Sequence, residues 1–289
     1  MLSIYGEGPY LHDVRAKKNK RRVFNIYTSD RFKSLLRIKK FLSSLPPSVL
    51  NGDDITLPSG PIRKMFDFAG LSNSDIFYHL GCGSSESIRI ACTEYKVRKS
   101  IGIEINKETA KVAREKIKNL KNAQIINEDF KKTNLSDATV IFFWFTDDKL
   151  IKMMIKKFER ELRDGVRVLT IWSPPDLMIP SKTEFPFMLC QKPFKYAQGV
   201  AEQVTAICGS PCIDFTSSWY LAERYIHNLE SVEEKYLRFV NIFQCMVIWI
   251  NAWNSGVACE EEIPPPVEAY VGILKTFYNI DLTSMITKK

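Results

Sequence analysis

The stretch "DIFYHLGCGSSESIRIA", residues 75–91, carries the densest chemical signal in the chain. An apolar run leads into Gly81 and Gly83 and then into the start of a helix. Gly81 permits a sharp turn, Gly83 lets the backbone approach a ligand closely, and Ser84 or Ser85 is positioned to cap the helix. Turns of this kind hold a nucleotide-type ligand mainly through backbone N–H groups, so geometry matters more than side-chain identity. Two carboxylates extend the pattern. Glu104 ends a second apolar run, 23 residues after Gly81, where it can accept hydrogen bonds from both hydroxyls of a ribose. Asp129 follows a third run in "NEDF", where it can accept from an adenine amino group while Phe130 flanks the ring. A fourth run ends in "FFWF" (142–145), followed by Thr146 and Asp147. Trp144 and Phe145 offer aromatic surface at that strand end, beside the hydroxyl of Thr146 and the carboxylate of Asp147, groups suited to walling and orienting a reacting ligand.

These residues need a scaffold that brings several strand ends together. Apolar runs predict strands at 76–80, 100–105, 123–127, 139–145 and 166–172, with helices at 85–94, 107–119 and 148–163 between them. Such alternation predicts an α/β fold with a doubly wound, mostly parallel sheet covered on both faces. Its ligands bind beyond the carboxyl ends of the strands, where every residue named above lies. A helix at 61–69, opened by Pro61, precedes the first strand. The runs "FPFMLCQKPF" and "EQVTAIC" read as two strands of a hairpin at the sheet edge. Helices follow at 216–229, at 232–253 opened by the capping box Ser231-x-x-Glu234, and at 267–278 opened by Pro265 and Pro266. Trp219, Tyr220, Tyr225, Trp249 and Trp253 read as the core of this helical region. The organisation expected is a basic N-terminal segment with an amphipathic helix (1–54, the helix at 29–45), a ligand-binding α/β domain (55–210) and a C-terminal helical region (211–289).

Composition narrows the class. With 45% hydrophobic and 26% charged residues in 289, the chain folds around a substantial core and is neither fibrous nor disordered. Lys and Arg outnumber Asp and Glu by 41 to 33, and the run "RAKKNKRR" (15–22) suits anionic partners or a solvated arm. Seven scattered cysteines argue against a disulfide framework and for a reducing, cytoplasmic compartment. Cys208 and Cys212 have no second pair or nearby histidine, and His12 and His227 stand alone, so no metal site is expected. The most apolar stretch, 239–253, is interrupted by Asn241, Gln244 and Asn251 and reads as a buried helix; no membrane partner is expected.

Over residues 55–208 the sequence resembles the class I, seven-strand S-adenosylmethionine-dependent methyltransferases. The pieces "FYHLGCGSSESIRIA", "SIGIEINKETAKVAREKI", "NEDF", "LSDATVIFFWF" and "ELRDGVRVLTIWS" are similar to the small archaeal protein-lysine methyltransferases, relatives of the disruptor-of-telomeric-silencing histone-lysine enzymes. The resemblance implies an antiparallel seventh strand in the edge hairpin and S-adenosyl-L-methionine as cofactor. It would be held by the positions of His79, Gly81, Gly83, Ser85, Glu104, Asp129 and Phe130. His79 replaces the family's usual acidic residue, which helps organise the methionine end, and Ser85 replaces the third glycine. A "YGE" at 5–7 matches a cofactor motif of the telomeric-silencing enzymes but stands too early in the chain. "SPPD" (173–176) resembles the signature of amino-methylating nucleic-acid enzymes, yet follows the fifth strand rather than the fourth and reads as a rigid loop.

The function expected is methylation of protein lysine side chains. Methylation of nucleic acid (RNA) is the enzymatic alternative, favoured by charge. A degenerate fold kept for binding is the alternative outside catalysis, suggested by His79. The oligomeric state is left open.

Overall fold

The computed structural model describes residues 57–229 and 233–286. The basic run at 15–22, the helix expected at 29–45, the "YGE" at 5–7 and Ser231 lie outside the described residues. Helix α1 (Ser59–Ala69) buries Ile62, Met65, Phe66 and Ala69 at helical spacing and ends at Gly70, whose left-handed backbone closes it. The elements β1 (Ile76–Leu80), α2 (Glu86–Thr93), β2 (Lys99–Ile103), α3 (Lys107–Ile117), β3 (Ala123–Ile126), β4 (Val140–Phe143), α4 (Asp148–Glu161) and β5 (Arg167–Ile171) follow. All lie close to the bounds expected from periodicity.

The seven-stranded sheet runs in the order 3-2-1-4-5-8-7. Strands β1 to β5 are parallel, and β8 (Phe187–Gln191) is antiparallel to β5. Each central strand feeds two cores. On β4, Val140 and Phe142 join the layer under α1, α2 and α3, while Ile141 and Phe143 join the layer under α4. Register aligns the strand tips: Leu80 pairs with Ile103 and with Phe143, and Ile103 pairs with Ile126. Gly81, Glu104 and Trp144 therefore leave the sheet side by side at the switch point between β1 and β4. At the opposite end, the Asp75 carboxylate accepts from Arg167, Thr139 and Ser72, joining the starts of three strands. Burial would raise the Asp75 pKa, but these donors hold it below its ordinary value.

The sheet edge departs from expectation. The partner of β8 is β7 (Lys182–Glu184), which immediately precedes it. "EQVTAIC" is not a strand but lies in helix α5 (Val200–Cys208). Val204, Thr205 and Ile207 suggested a strand, yet the termini decide: the Glu202 side chain accepts from Gln198 N at 2.7 Å, and Gly209 closes the helix at φ 76°. A two-stranded sheet of β6 (Met178–Ile179) and β9 (Lys195–Tyr196) lies beside it in sequence.

Helices α6 (Phe215–Leu229), α7 (Glu234–Asn254) and α8 (Pro265–Tyr278) belong to the same compact unit as the sheet. Trp249 is fully buried and stacks on Trp253 at 5.1 Å, but Tyr220 is 55% exposed and Tyr225 packs away from this core, on Trp172. The cysteine expectation is also corrected: Cys212 and Cys259 form a disulfide. A parallel bridge between Ile213 and Ala258 brings their neighbours to a Cα–Cα distance of 5.0 Å, a proximity that a separation of 47 residues conceals in the sequence. Among the described residues no helix is long and apolar enough to cross a membrane.

Candidate active site

Gly81 leaves β1 at φ 78°, and its N–H and that of Cys82 both donate to Ile103 O, at 2.9 and 3.0 Å. The turn is thus stitched to the tip of β2. Glu104, the next residue beyond that tip, accepts from Gly83 N at 3.0 Å and from Asn106 N at 2.8 Å. One carboxylate fixes two loops and keeps lone pairs for a ligand. A Cβ built on Gly83 meets nothing within 4 Å, whereas one on Gly81 would come within 2.9 Å of Phe145 Cζ. Gly83 therefore offers bare backbone to open space, and an aromatic ring seals the turn from the other side.

Ser85 stands fully buried at φ 68°, a left-handed backbone that a residue with a Cβ adopts at a cost. Its hydroxyl donates to Ser84 O at 2.5 Å and Ala113 O at 3.3 Å, so it faces α3 and does not cap α2 as its position suggested. The His79 ring shares a hydrogen bond between Nδ1 and Ser87 Oγ at 2.6 Å and lies 4.5 Å from the Phe142 ring. Burial pushes its pKa down to about 3, leaving a neutral imidazole at physiological pH.

Two clefts meet at this end of the sheet. The first, about 550 Å³, is lined by His79, Gly81, Gly83, Ser87, Phe142 and Trp144. The second, about 880 Å³, is lined by Trp144, Phe145, Thr146, Asp148, Trp172, the 173–175 loop and Tyr225. Trp144 borders both. Of the other residues singled out in the sequence, Ser85, Glu104 and Phe130 line neither cleft, and nor does Asp129. Burial would raise its pKa, but the Lys131 backbone N–H at 3.0 Å and the Lys131 ammonium, also at 3.0 Å, hold it below the ordinary value. Phe130 packs on Phe145, with ring centres 5.0 Å apart. Asp147 caps α4, accepting from Leu150 N at 2.6 Å, and it is Asp148 that lines the second cleft. Sequence reasoning missed Asp148, Trp172 and Tyr225. The "SPPD" loop was the available signal for Trp172; for Tyr225, on a helix far along the chain, there was none.

Residues 57–127 match the family model described as histone methylation protein DOT1. The chain is 31% identical over 135 residues to a protein-lysine N-methyltransferase of Saccharolobus islandicus (strain REY15A), a match that covers 43% of this chain and 82% of the relative. The chain belongs to this family of class I S-adenosylmethionine-dependent methyltransferases. Among solved structures, an RNA methyltransferase from Salinibacter ruber in complex with S-adenosyl-L-homocysteine is similar at a TM-score of 0.43 and 19% identity, covering 50% of this chain and 97% of that one. A dimethyladenosine transferase from Plasmodium falciparum gives a TM-score of 0.35 at 17% identity, covering 41% and 42%.

The methyltransferase's own residues fit S-adenosylmethionine. The open face of Gly83 and the Glu104 carboxylate hydrogen-bonded to it suit a nucleoside, and the first cleft runs from Gly83 past His79 to Trp144. The departure is at His79, which brings a neutral ring where its family uses a charge. Among the described residues no three of His, Cys, Asp and Glu cluster to hold a metal.

Proposed function

We propose that this methyltransferase acts on the ε-amine of protein lysine side chains. The observation that carries the reading is the Trp144 ring, a wall common to the cleft beside the glycine turn and to an aromatic-walled cleft next to it. The named activity of the Saccharolobus islandicus relative supports it. S-adenosylmethionine, when bound, supplies an electrophilic methyl group on a sulfonium. Gly81 and Gly83 would receive it on bare backbone, the remaining lone pairs of Glu104 would accept from ribose hydroxyls, and Asp129 and Phe130 would meet the base. His79 and Ser87 would line the methionine end. Trp144 and Phe145 exclude water from the approach, which disfavours an ammonium and favours the neutral amine that has a lone pair to donate. Thr146 orients that amine, and Asp148 draws the incoming cation to the mouth of the second cleft, while Asp147 serves α4. Most of the acceleration comes from alignment, as methyl transfer needs an in-line nucleophile and little proton chemistry.

The test is labelling with tritiated S-adenosylmethionine in a cell extract, followed by protease, nuclease and amino-acid analysis. Methyl-lysine is expected; label sensitive to nuclease would overturn the reading in favour of RNA, the alternative that the excess of eight positive charges favours. Cytoplasmic residence belongs to the same proposal, supported by five free cysteines. The Cys212–Cys259 bond counts the other way. Thiol counting on protein purified without reductant decides between them.

A further inference from the structure

The second cleft is lined wholly by residues beyond the 57–127 family match. The lining residue farthest in sequence from the β4 aromatics is Tyr225, from α6, whose ring meets that of Trp172 nearly edge-on at 5.5 Å and 83°. Trp172 in turn packs on Phe185 at 5.6 Å. Neither ring is placed by chance packing. Trp172 sits at φ 77°, a conformation costing a bulky residue on the order of 1–3 kcal/mol, which persists only where the surroundings enforce it. Its N–H donates to Pro186 O at 2.7 Å, and Thr170 Oγ1 holds the next residue's carbonyl, Ser173 O, at 2.9 Å. Helix α6 is fastened at the level of Tyr225 to the sheet layer and not only to α7. Asn228 Nδ2 donates to Phe185 O at 2.9 Å, Lys64 of α1 donates to His227 O, and Leu229 is buried in the core beneath α1.

We infer that α6 supplies the acceptor-selecting wall of the enzyme: Tyr225, seated on the strained Trp172, closes the second cleft around the methylene stem of the incoming side chain. The inference rests on the reading above that the acceptor enters this cleft. The aromatic faces of Trp144, Trp172 and Tyr225 suit an aliphatic stem and disfavour an anionic phosphodiester. Tyr225 is a positioning residue here; it reaches the acceptor's stem and not the reacting atoms. The C-terminal helices thereby take part in choosing the substrate as well as in holding the fold.

The test compares wild type, Tyr225→Ala and Tyr225→Phe with bulk bacterial cell protein and total RNA as acceptors and tritiated S-adenosylmethionine as donor. The apparent KM for protein should rise about tenfold in Tyr225→Ala, with kcat and the Kd for S-adenosylhomocysteine changed by less than about threefold, and Tyr225→Phe, which keeps the ring, should recover most of that loss. If Tyr225→Ala loses its cooperative melt, Tyr225→Leu, which keeps the bulk and removes the ring, serves in its place with the same expectation. Methyl-lysine formed with an unchanged KM overturns this inference alone. Label found in RNA, or in neither acceptor, overturns the lysine reading and this inference with it.

Discussion

The two clefts that share Trp144 are built by opposite means. The first is mostly local: most of its lining, His79, Gly81, Gly83 and Ser87 included, falls within one strand–turn–helix, completed by Phe142 and Trp144 of the neighbouring strand end and by Leu57 and Ile62, while the carboxylate that pins the turn, Glu104, leaves the adjacent strand in register with it. The second is assembled from the end of β4, the start of α4, the end of β5 and the middle of α6. A local site can be spelled out in a short motif because backbone geometry over a few residues creates it. A composite site has no spelling; its members meet only through tertiary contacts such as Asn228 to Phe185. The contrast suggests a division of labour in which the donor side is fixed by the fold and the acceptor side is free to diverge.

That contrast can be strained experimentally, beginning with acid. The imidazole of His79, half-buried at the cleft wall, has its folded-state pKa pushed by its enclosure down to about 3, whereas the unfolded chain takes up the proton near the ordinary value of about 6.5. Between those values the unfolded state binds more protons, so stability is complete above the upper value and falls with pH toward the lower one. Denaturant titrations should show wild type losing about 3 kcal/mol more than His79→Gln between pH 7 and pH 4. Equal losses would mean that the ring is hydrated and the donor side less rigid than described. Next in size is Glu104→Ala, which strips acceptors from Gly83 and Asn106; calorimetry should show S-adenosylhomocysteine binding weakened by about 2–3 kcal/mol, with acceptor KM little changed.

The glycines sharpen the picture further. Gly81→Ala combines a positive φ with a Cβ pressed on Phe145 and should cost about 2 kcal/mol in thermal unfolding. Gly83→Ala meets no atom and should cost about 1 kcal/mol, yet hinder the ligand more. Smallest is Asp147→Ala, worth about 1 kcal/mol as a lost helix cap and nothing in catalysis, whereas Asp148→Asn should raise acceptor KM at a stability cost of only about 0.5 kcal/mol, that of a first-turn charge. The reverse assignment of these neighbours would show in the same two assays.

Periodicity made the alternating elements, their order and the strand-end carboxylates legible, because burial on both faces of a parallel sheet leaves continuous apolar runs such as 140–143. It failed at α5, where β-branched residues outweighed the termini, and at Asp147, whose carboxylate is used by its own helix. Ser85 shows a subtler miss. Its type fitted a helix cap, but its hydroxyl turned to another helix, a choice set by α3 packing and invisible from the neighbouring residues.

The disulfide has a topological consequence. Joining positions 47 apart, it makes everything from Cys212 to Cys259 a closed covalent ring that contains all of α6 and α7. A protease that nicks this ring once releases no fragment: the severed protein would migrate as one species until a reductant opens the bond, and Tyr225 would stay tethered on both sides of the cut.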